Sequence, residues 1–360
     1  MSEVGPRFGV WCMVYGSWAS YHHPRDPVDA SWERNRDQIL EAEELGYDST
    51  LVAQHIFNPS GDEYDQLDAW SGSAALAAIT SRIEIITAIK PYLAHPVVLA
   101  KQALQLDAIS GGRNAINVVN AWFKPEFERA GIQFAHHDER YTYGREWLEV
   151  VERLLRGERT TFAGKYFNID GYQLRPRSRY RERPLIYVGG QSSEARALGV
   201  ELGDVFFMNG QPIERVIAII EDVSSRPRVG SPVRFGMAAF VIARETDEEA
   251  QAELAAAWDL AALDTSQHES VYKNADPDST MWKTLDELPH IGSNGGTSAG
   301  LVGSYDDVAR RISDFHEAGV ELFMLQFQPF EPEMRRFAHE VIPRVRRLSG
   351  ASRTTSRAAR

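Results

Sequence analysis

The sequence predicts an α/β protein folded as a (β/α)8 barrel, the TIM-barrel architecture, and three observations support this fold class. Short apolar runs alternate with helical patterns eight times along the chain. A helix ending in glycine leads at once into a strand around Gly46, Gly203 and Gly319, as expected of helices that return to a parallel sheet. The first strand is not followed by the glycine fingerprint of a doubly wound dinucleotide-binding sheet.

The eight predicted strands are rich in apolar and β-branched residues, which is typical of strands buried on both faces. They span residues 8–14, 49–53, 83–89, 115–119, 185–188, 205–208, 234–243 and 321–327. The predicted helices carry apolar residues at helical spacing. They span residues 32–45, 97–109, 141–155, 193–202, 213–223, 247–262, 305–318 and 332–348.

Two insertions interrupt a single domain that we expect to cover residues 1–348. In the first, at 162–183, residues 167–169 and 172–174 are predicted to pair as a hairpin. The second, at 264–300, is long and polar, and its last part contains four glycines. It is predicted to be a lid over the C-terminal ends of the strands, with those glycines as hinges. The small, polar and basic tail at 349–360 is predicted to be disordered.

Composition limits the partners of this protein. A formal net charge of -12 over 360 residues disfavours a nucleic-acid partner, and no apolar run approaches the roughly 20 residues that span a bilayer. The N-terminal residues lack the layout of a secretory signal, which favours a cytoplasmic location. The single cysteine, Cys12, excludes an internal disulfide, and the spacing of cysteine and histidine predicts no metal site.

Polar residues gather after the predicted fourth strand. Asn117 interrupts its apolar run, and a buried carboxamide is unfavourable unless it finds a hydrogen-bond partner or a ligand. Glu126, Arg140 and Tyr141 follow within one short excursion of the chain. A guanidinium and a phenol at a helix start are suited to binding a phosphomonoester. An ion pair of Arg140 with Glu139 or Asp138 is the alternative.

A phosphate site is also predicted where the strand at 185–188 meets the next helix. Gly189 and Gly190 let backbone amides approach a ligand, while Ser192 and Ser193 stand at the helix start. An ordinary serine cap after a tight turn is the alternative.

Aromatic residues recur at the ends of the predicted strands, whereas the sequence contains no nucleophile elbow and no phosphate-binding Walker loop. This combination is typical of an enzyme whose cofactor supplies the chemistry. The aromatic residues are Trp11, Tyr15, Trp18, Trp122 and Phe240.

Taken together, these motifs resemble the bacterial luciferase-like flavin monooxygenases over nearly the whole chain. The matching segments are Asn117-Val-Val-Asn-Ala-Trp-Phe-Lys-Pro-Glu126-Phe, His137-Asp-Glu-Arg140-Tyr141, Gly189-Gly-Gln-Ser192-Ser193, Phe207-Met-Asn209-Gly210 and Leu301-Val-Gly-Ser. The resemblance is strongest to the branch with alkanesulfonate, dimethylsulfone and pyrimidine monooxygenases. In such enzymes FMNH2 from a separate reductase reacts with O2 inside the barrel, and the flavin peroxide oxygenates the substrate.

The resemblance implies roles for residues at the C-terminal ends of the strands. It makes Asn117 and Glu126 contacts of the flavin and places Ala53 and Gln54 beside its ring. The implied contacts of the phosphate or ribityl chain are Arg140, Tyr141, Ser192 and Ser193. The candidates for the substrate pocket are Trp11, Gln54, His55, Trp122, Phe240 and Gln328.

Departures from the alkanesulfonate enzymes indicate the substrate class. An arginine and a histidine of those enzymes align with Ala238 and Phe240, and a late tyrosine aligns with Gln328. An anionic sulfonate would lose its partners, so the resemblance favours a small neutral sulfone or other organosulfur compound, with cleavage of a C–S bond. An amide or heterocycle is the alternative, although the threonine of the pyrimidine enzymes aligns with Ala88.

The resemblance also implies a flavin reductase as partner and a homodimer or homotetramer as the assembly. The helical patterns at 67–79 and 97–109 carry more apolar residues than one core-facing stripe requires, which predicts a second buried face. Two rival classes stay open. One is a deazaflavin-dependent oxidoreductase that transfers hydride without O2, and the other is a barrel that stores flavin without catalysis.

Overall fold

The computed structural model describes residues 5–120, 123–264 and 287–358, with side chains up to residue 350. Within this part of the chain, eight parallel strands close into a barrel in which β12 pairs with β1. The barrel strands are β1 (Arg7–Trp11), β2 (Ser49–Val52), β3 (Glu84–Ile89), β4 (Asn114–Val119), β7 (Leu185–Gly189), β8 (Val205–Met208), β9 (Arg234–Phe240) and β12 (Val320–Gln326). The predicted barrel is confirmed, and each predicted strand overlaps one of these.

Helices surround the barrel and cover the outward-facing residues of its strands. They are α1 (Trp32–Glu44), α2 (Ala69–Ile79), α3 (Pro96–Ser110), α4 (Pro125–Glu128), α5 (His137–Leu155), α6 (Ser193–Leu202), α7 (Ile213–Ser225), α8 (Asp247–Ala261), α9 (Tyr305–Glu317), α10 (Phe330–Arg336) and α11 (Ile342–Ala358). Short 3-10 turns occur at Pro91–Leu93, Ala262–Asp264 and Gly296–Ala299. Among the described helices, none is long and apolar enough to cross a membrane.

The three glycines that precede strands do so for two different reasons. Gly46 and Gly319 have φ angles of 86° and 116°, a region that glycine enters far more readily than other residues. Gly203 instead has a φ of -86°. A Cβ there would lie 2.9 Å from the Gly199 carbonyl oxygen and 3.0 Å from Val188, so close helix-to-strand packing requires this glycine.

The first insertion forms a hairpin, but the predicted pairing was wrong. Strands β5 (Thr160–Ala163) and β6 (Asn168–Tyr172) pair antiparallel, with Phe162 opposite Ile169. The chain reverses at Gly164 and Lys165, where the Gly164 amide donates to the Phe167 carbonyl at 2.9 Å and the Lys165 amide donates to the Glu146 carboxylate at 2.9 Å. A helix residue distant in sequence therefore helps to hold this turn.

The last predicted helix is divided in two. Between α10 and α11 lies a π-helical turn, Phe337–Val341. Pro343 follows it and lacks the N–H that would bond the His339 carbonyl, so the helix widens there. Helix α11 continues past Leu348 into the segment for which the sequence predicts disorder.

A two-stranded parallel sheet flanks the second insertion, with β10 (Ile242–Arg244) before it in the chain and β11 (Val302–Ser304) after it. Residues 265–286 of the predicted lid lie outside the described part of the chain. Residues after them pack on the barrel, where the Gly210 amide donates to the Asn294 carbonyl at 2.9 Å. A Cβ on Gly295 would lie 2.0 Å from the Gly210 carbonyl oxygen. Close packing therefore accounts for this glycine without a hinge, and the lid stays a prediction.

Candidate active site

Contacts across the barrel establish which side chains face its interior. The rings of Trp11 on β1 and Phe207 on β8 lie 6.2 Å apart, although β12 and β9 separate these strands in the sheet. Near the other end, the Tyr187 hydroxyl of β7 lies 3.1 Å from the Glu84 carboxylate of β3. Alternate residues of a strand share a face. Lys90, which directly follows β3, therefore faces the interior at the C-terminal end.

Lys90 belongs to a buried cluster with His55 and Glu126. Its ammonium donates to the Glu126 carboxylate and lies 3.0 Å from Nδ1 of His55. The same carboxylate accepts from the backbone amide of Ile56 at 2.7 Å. The exposed fractions of His55, Lys90 and Glu126 are 5%, 3% and 1%. Three ionisable groups from the ends of β2 and β3 and from α4 thus meet at a site nearly closed to water.

Burial and ion pairing set the charge of each member of this cluster. Burial lowers the pKa of His55, and Lys90 lowers it further, to about 4. Burial lowers the pKa of Lys90 to about 8, although Glu126 opposes this shift. Burial acts to raise the pKa of Glu126, but Lys90 and His55 outweigh it and bring the pKa to about 2. At neutral pH the cluster therefore holds a cation, an anion and a neutral imidazole.

The contacts of His55 also fix its tautomer. Its Nδ1 lies 3.0 Å from the Lys90 ammonium and 3.3 Å from the Glu126 carboxylate. An ammonium donates and does not accept, so Nδ1 must accept from Lys90, the shorter of the two contacts. The imidazole proton then resides on Nε2, which makes this atom a hydrogen-bond donor.

A row of aromatic rings connects the cluster to the opposite wall of the barrel. The Tyr15 ring lies 5.3 Å from the His55 ring and 4.7 Å from that of Trp18. Trp18 in turn lies 4.7 Å from Trp11, which contacts Phe207. Burial raises the pKa of Tyr15 well above its ordinary value, so its phenol stays neutral. The row forms an apolar surface beside the cluster of His55, Lys90 and Glu126, whose net charge is zero.

Two residues of the predicted phosphate site, Ser192 and Tyr141, meet where α6 begins. Ser192 caps the helix by accepting from the backbone amide of Ala195 at 3.2 Å, and its hydroxyl donates to the Tyr141 hydroxyl at 3.1 Å. Asn120 also hydrogen-bonds Tyr141. A Cβ on Gly190 would meet Ala195 at 2.6 Å, so only glycine fits there. Two hydroxyls and a helix N-terminus therefore converge, as a phosphate site requires.

Asn117 faces the interior next to this site. It is 3% exposed, and its Oδ1 has no hydrogen-bond partner among the described residues. A Cβ on Gly189 would lie 3.3 Å from this oxygen, so a larger residue at that position would crowd it. A buried acceptor without a partner indicates a ligand that donates. The residues present thus fit FMN, with hydroxyls for its phosphate and a carboxamide oxygen for an N–H of its ring.

Two other predicted phosphate contacts lie apart from this pair. The Arg140 guanidinium is 4.3 Å from the centroid of the Phe134 ring and donates to the Ala135 carbonyl at 2.7 Å. Neighbouring helix residues point about 100° apart, so these contacts lie on a different side of α5 from Tyr141. Ser193 is exposed on the first turn of α6. The phosphate role of both residues stays a prediction.

The predicted ring and pocket residues fall into two groups. Ala53 is buried, and the Gln54 side chain accepts from the backbone amide of Lys90 at 3.1 Å, so both lie beside the cluster. Gln328 donates to the Ser20 carbonyl at 2.7 Å and accepts from the Ser20 amide at 3.2 Å. It therefore anchors the loop after β1.

Phe240, 1% exposed, packs against Ile291 of the second insertion and with Ile242, Ala250 and Val302 outside it. Trp122 lies outside the described residues. Among the residues that the structure describes, no group of three or more histidine, cysteine, aspartate or glutamate side chains is arranged to hold a metal.

Sequence reasoning missed Lys90 and Gln326. Lys90 ends an apolar run on the strand face of Glu84, but the partners that give it a role in the site are distant in sequence. Gln326 is a carboxamide inside an apolar strand, the same signal that identified Asn117.

Known proteins resemble this chain along nearly its whole length. The model of the luciferase-like monooxygenase family matches residues 8–322. An FMNH2-dependent dimethylsulfone monooxygenase of Pseudomonas fluorescens (strain Pf0-1) is 30% identical over 362 residues, which cover 98% of each chain. One of Pseudomonas putida is 33% identical over 354 residues, 95% of this chain and 96% of its own. The crystal structure of DmoA from Hyphomicrobium sulfonivorans has a TM-score of 0.77 at 19% identity and covers 96% of this chain and 88% of its own, which shows a shared fold.

Proposed function

Because the chain belongs to the luciferase-like monooxygenase family, we propose that it uses FMNH2 and O2 to oxygenate a small neutral organosulfur compound. A sulfone is the favoured substrate. Two relatives that match over at least 95% of the chain are dimethylsulfone monooxygenases, which supports both the cofactor and the substrate class.

The charge balance at the barrel mouth is the observation that carries the substrate proposal. The Lys90 cation is paired with Glu126, and the neighbouring imidazole is neutral. Strand β9 presents Ala238 and Phe240, which are 0% and 1% exposed and carry no charge. An anionic sulfonate would have to compete with Glu126 for Lys90, whereas a neutral sulfone would not.

The proposed reaction balances as R–H + O2 + FMNH2 giving R–OH + FMN + H2O. When the oxygenated carbon is bonded to a sulfonyl sulfur, the product is an α-hydroxy sulfone. Its hydroxyl proton leaves, a C=O bond forms and the C–S bond breaks with sulfinate as the leaving group. Dimethylsulfone would thus give formaldehyde and methanesulfinate, which accounts for C–S cleavage without a further oxidant.

Some residues of the site would hold FMN, and others would keep water away from the reaction. Ser192, Tyr141 and the start of α6 would hold the phosphate, and Asn117 would accept from the ring. Bound reduced FMN supplies the two electrons with which O2 is activated. The aromatic row would keep water away, and His55, with its proton on Nε2, would stay uncharged beside the reaction.

A substrate panel tests the proposal. The protein receives photoreduced FMN and O2 with dimethylsulfone, methanesulfonate or uracil, and sulfinate, formaldehyde and H2O2 are measured. We expect dimethylsulfone alone to yield product and to divert O2 from H2O2. Oxygenation of uracil would favour the heterocycle alternative, and reduction of a deazaflavin without O2 would favour the oxidoreductase alternative. H2O2 as the only product with every compound would reject both the sulfone and the heterocycle monooxygenase.

We further propose that FMNH2 comes from a separate reductase and that the protein acts in the cytoplasm. The reductase prediction has a direct test, because the protein alone should oxidise no NADH or NADPH in the presence of FMN. Rapid oxidation by the purified chain would contradict the two-component scheme.

We also propose that the protein forms a homodimer or homotetramer through α2 and α3. Ile79, Val98 and Ile109 on these helices are 42%, 53% and 52% exposed, a concentration of apolar surface that an interface would cover. Light scattering of Val98→Glu/Ile109→Glu should show a smaller species than the wild type. Val229→Glu, at a loop position 98% exposed, is the control that should leave the assembly unchanged. A monomeric wild type would reject the proposal.

A further inference from the structure

We propose that Gln326 determines substrate specificity by donating a hydrogen bond from its carboxamide N–H2 to a sulfonyl oxygen of the substrate. This rests on the proposed function and assigns a role in it to a residue outside the flavin site and the ionisable cluster.

The position of Gln326 follows from contacts of its strand. It ends β12, and Met324 lies two residues earlier on the same face. A Cβ on Gly9 would lie 2.7 Å from the Met324 methyl carbon, so Met324 shares the face of Gly9 and hence of Trp11. Trp11 points across the interior to Phe207, as described above. Gln326 therefore faces the interior at the C-terminal end of the barrel.

Its neighbours on both sides are aromatic. Gln326 lies opposite Phe240 on β9. On the other side, Leu325 lies opposite Val10 of β1, so the next residue along β1, Trp11, flanks Gln326. Both aromatic residues are candidates for the substrate pocket, and Gln326 places one polar group between them.

The orientation of the carboxamide is fixed by one backbone donor. The Ser293 amide donates to the side-chain oxygen of Gln326 at 3.0 Å. An N–H can donate to the oxygen but not to the nitrogen, so the amide cannot be flipped. The Nε2 group therefore points away from Ser293. The residue is 0% exposed, and Nε2 has no hydrogen-bond partner among the described residues.

This arrangement selects a particular ligand chemistry. A buried donor without a partner is unfavourable, and a ligand with an acceptor oxygen removes that penalty. The donor is neutral and the flanking rings are apolar, so the fitting ligand is small and uncharged, with both oxygen acceptors and methyl groups. A sulfone meets these conditions, whereas a sulfide has no acceptor oxygen. An ordered water would satisfy the same donor but would not distinguish these two ligands.

The test compares two probes on two variants. Gln326→Glu keeps an oxygen for the Ser293 amide and replaces the donor by a second oxygen, and Gln326→Met keeps the length and removes both polar atoms. Binding of dimethylsulfone and dimethylsulfide to the FMN-loaded protein is measured by ligand-observed NMR. Gln173→Glu, at an exposed position of the first insertion, is the matched control. FMN titration and thermal melting confirm that each variant is folded and loaded.

We expect either variant to raise the Kd of dimethylsulfone by about tenfold, the scale of one buried hydrogen bond, with little change for dimethylsulfide. Unchanged sulfone affinity in both variants, or parallel losses for the two probes, would overturn the role of Gln326 alone. A wild-type protein that neither binds nor oxygenates dimethylsulfone would overturn the substrate proposal and this inference together.

Discussion

Replacing Lys90 with methionine is expected to destabilise the fold by about 3–5 kcal/mol, because the Glu126 carboxylate then stays buried without its cation. Methionine preserves the length and apolar stem of the side chain. The pair is suited to this test because both residues are at most 3% exposed. With an unfolding entropy of about 2.1 cal/mol/K per residue over 360 residues, the melting temperature should fall by about 4–7 °C.

The loss of Lys90 should also reverse the pH response of Glu126. In the wild type its pKa of about 2 lies below the ordinary 4.5, so the stability that it contributes is lost as the pH falls between these values. Without Lys90, burial dominates and raises the pKa above the ordinary value. The stability contributed by this group is then lost as the pH rises through the new pKa. The gap between wild type and variant should therefore widen from about pH 5 to pH 7.

Thermal and urea denaturation followed by circular dichroism at both pH values measures these effects. Lys165→Met is the matched control, because Lys165 is exposed and its Glu139 partner lies 3.4 Å away. It should melt like the wild type. The double variant Lys90→Met/Glu126→Gln removes both charges and should be more stable than Lys90→Met alone. Equal melting of the two lysine variants, or a double variant as unstable as the sum of its single changes, would refute the reasoning.

Three further predictions follow from the site. Ser192→Ala should weaken FMN binding by tenfold to a hundredfold in a fluorescence titration, as expected for roughly 1.5–3 kcal/mol from a hydrogen bond to a charged group. Ser193→Ala tests the second predicted serine contact in the same titration, and unchanged FMN affinity in Ser192→Ala would remove Ser192 from the phosphate site. Arg140→Ala should lower stability in thermal melting by about 1–3 kcal/mol, because the guanidinium lies over the Phe134 ring and donates to the Ala135 carbonyl. FMN titration of the same variant tests its predicted phosphate role, which an affinity within about twofold of the wild type would contradict. His55 has its pKa lowered to about 4, so the unfolded chain binds a proton that the folded chain does not between about pH 4 and 6.5, and stability rises with pH in that window. His55→Asn should flatten this rise in urea titrations, and an unchanged slope would contradict the assignment.

The barrel could be predicted because its signals are local. Strands buried on both faces appear as apolar runs, and the glycine at each helix end marks the return to the sheet. The strand pairing of the hairpin could not be predicted in this way, because Glu146 of α5, which is distant in sequence, helps to hold its turn. The break in the last helix was missed because the effect of Pro343 appears several residues before it.

The site was predictable only where one residue carried the signal by itself. Asn117 stood out as a carboxamide in an apolar strand, and Ser192 stood out as a cap after two glycines. Lys90 did not, because its partners His55 and Glu126 lie 35 and 36 residues away and meet it only after the barrel closes. A lysine at the end of a strand otherwise indicates an exit to solvent.

The origin of the oxygen in the product tests the central claim most directly. Dimethylsulfone is supplied with FMNH2 under 18O2 in unlabelled water, and the α-hydroxy sulfone or its formaldehyde is trapped by reduction before exchange with solvent. A monooxygenase that acts at the barrel mouth predicts one 18O atom in each trapped product and one sulfinate per product. Product without 18O, or O2 consumed entirely as H2O2 while dimethylsulfone stays intact, would contradict the assignment of this protein as a sulfone monooxygenase.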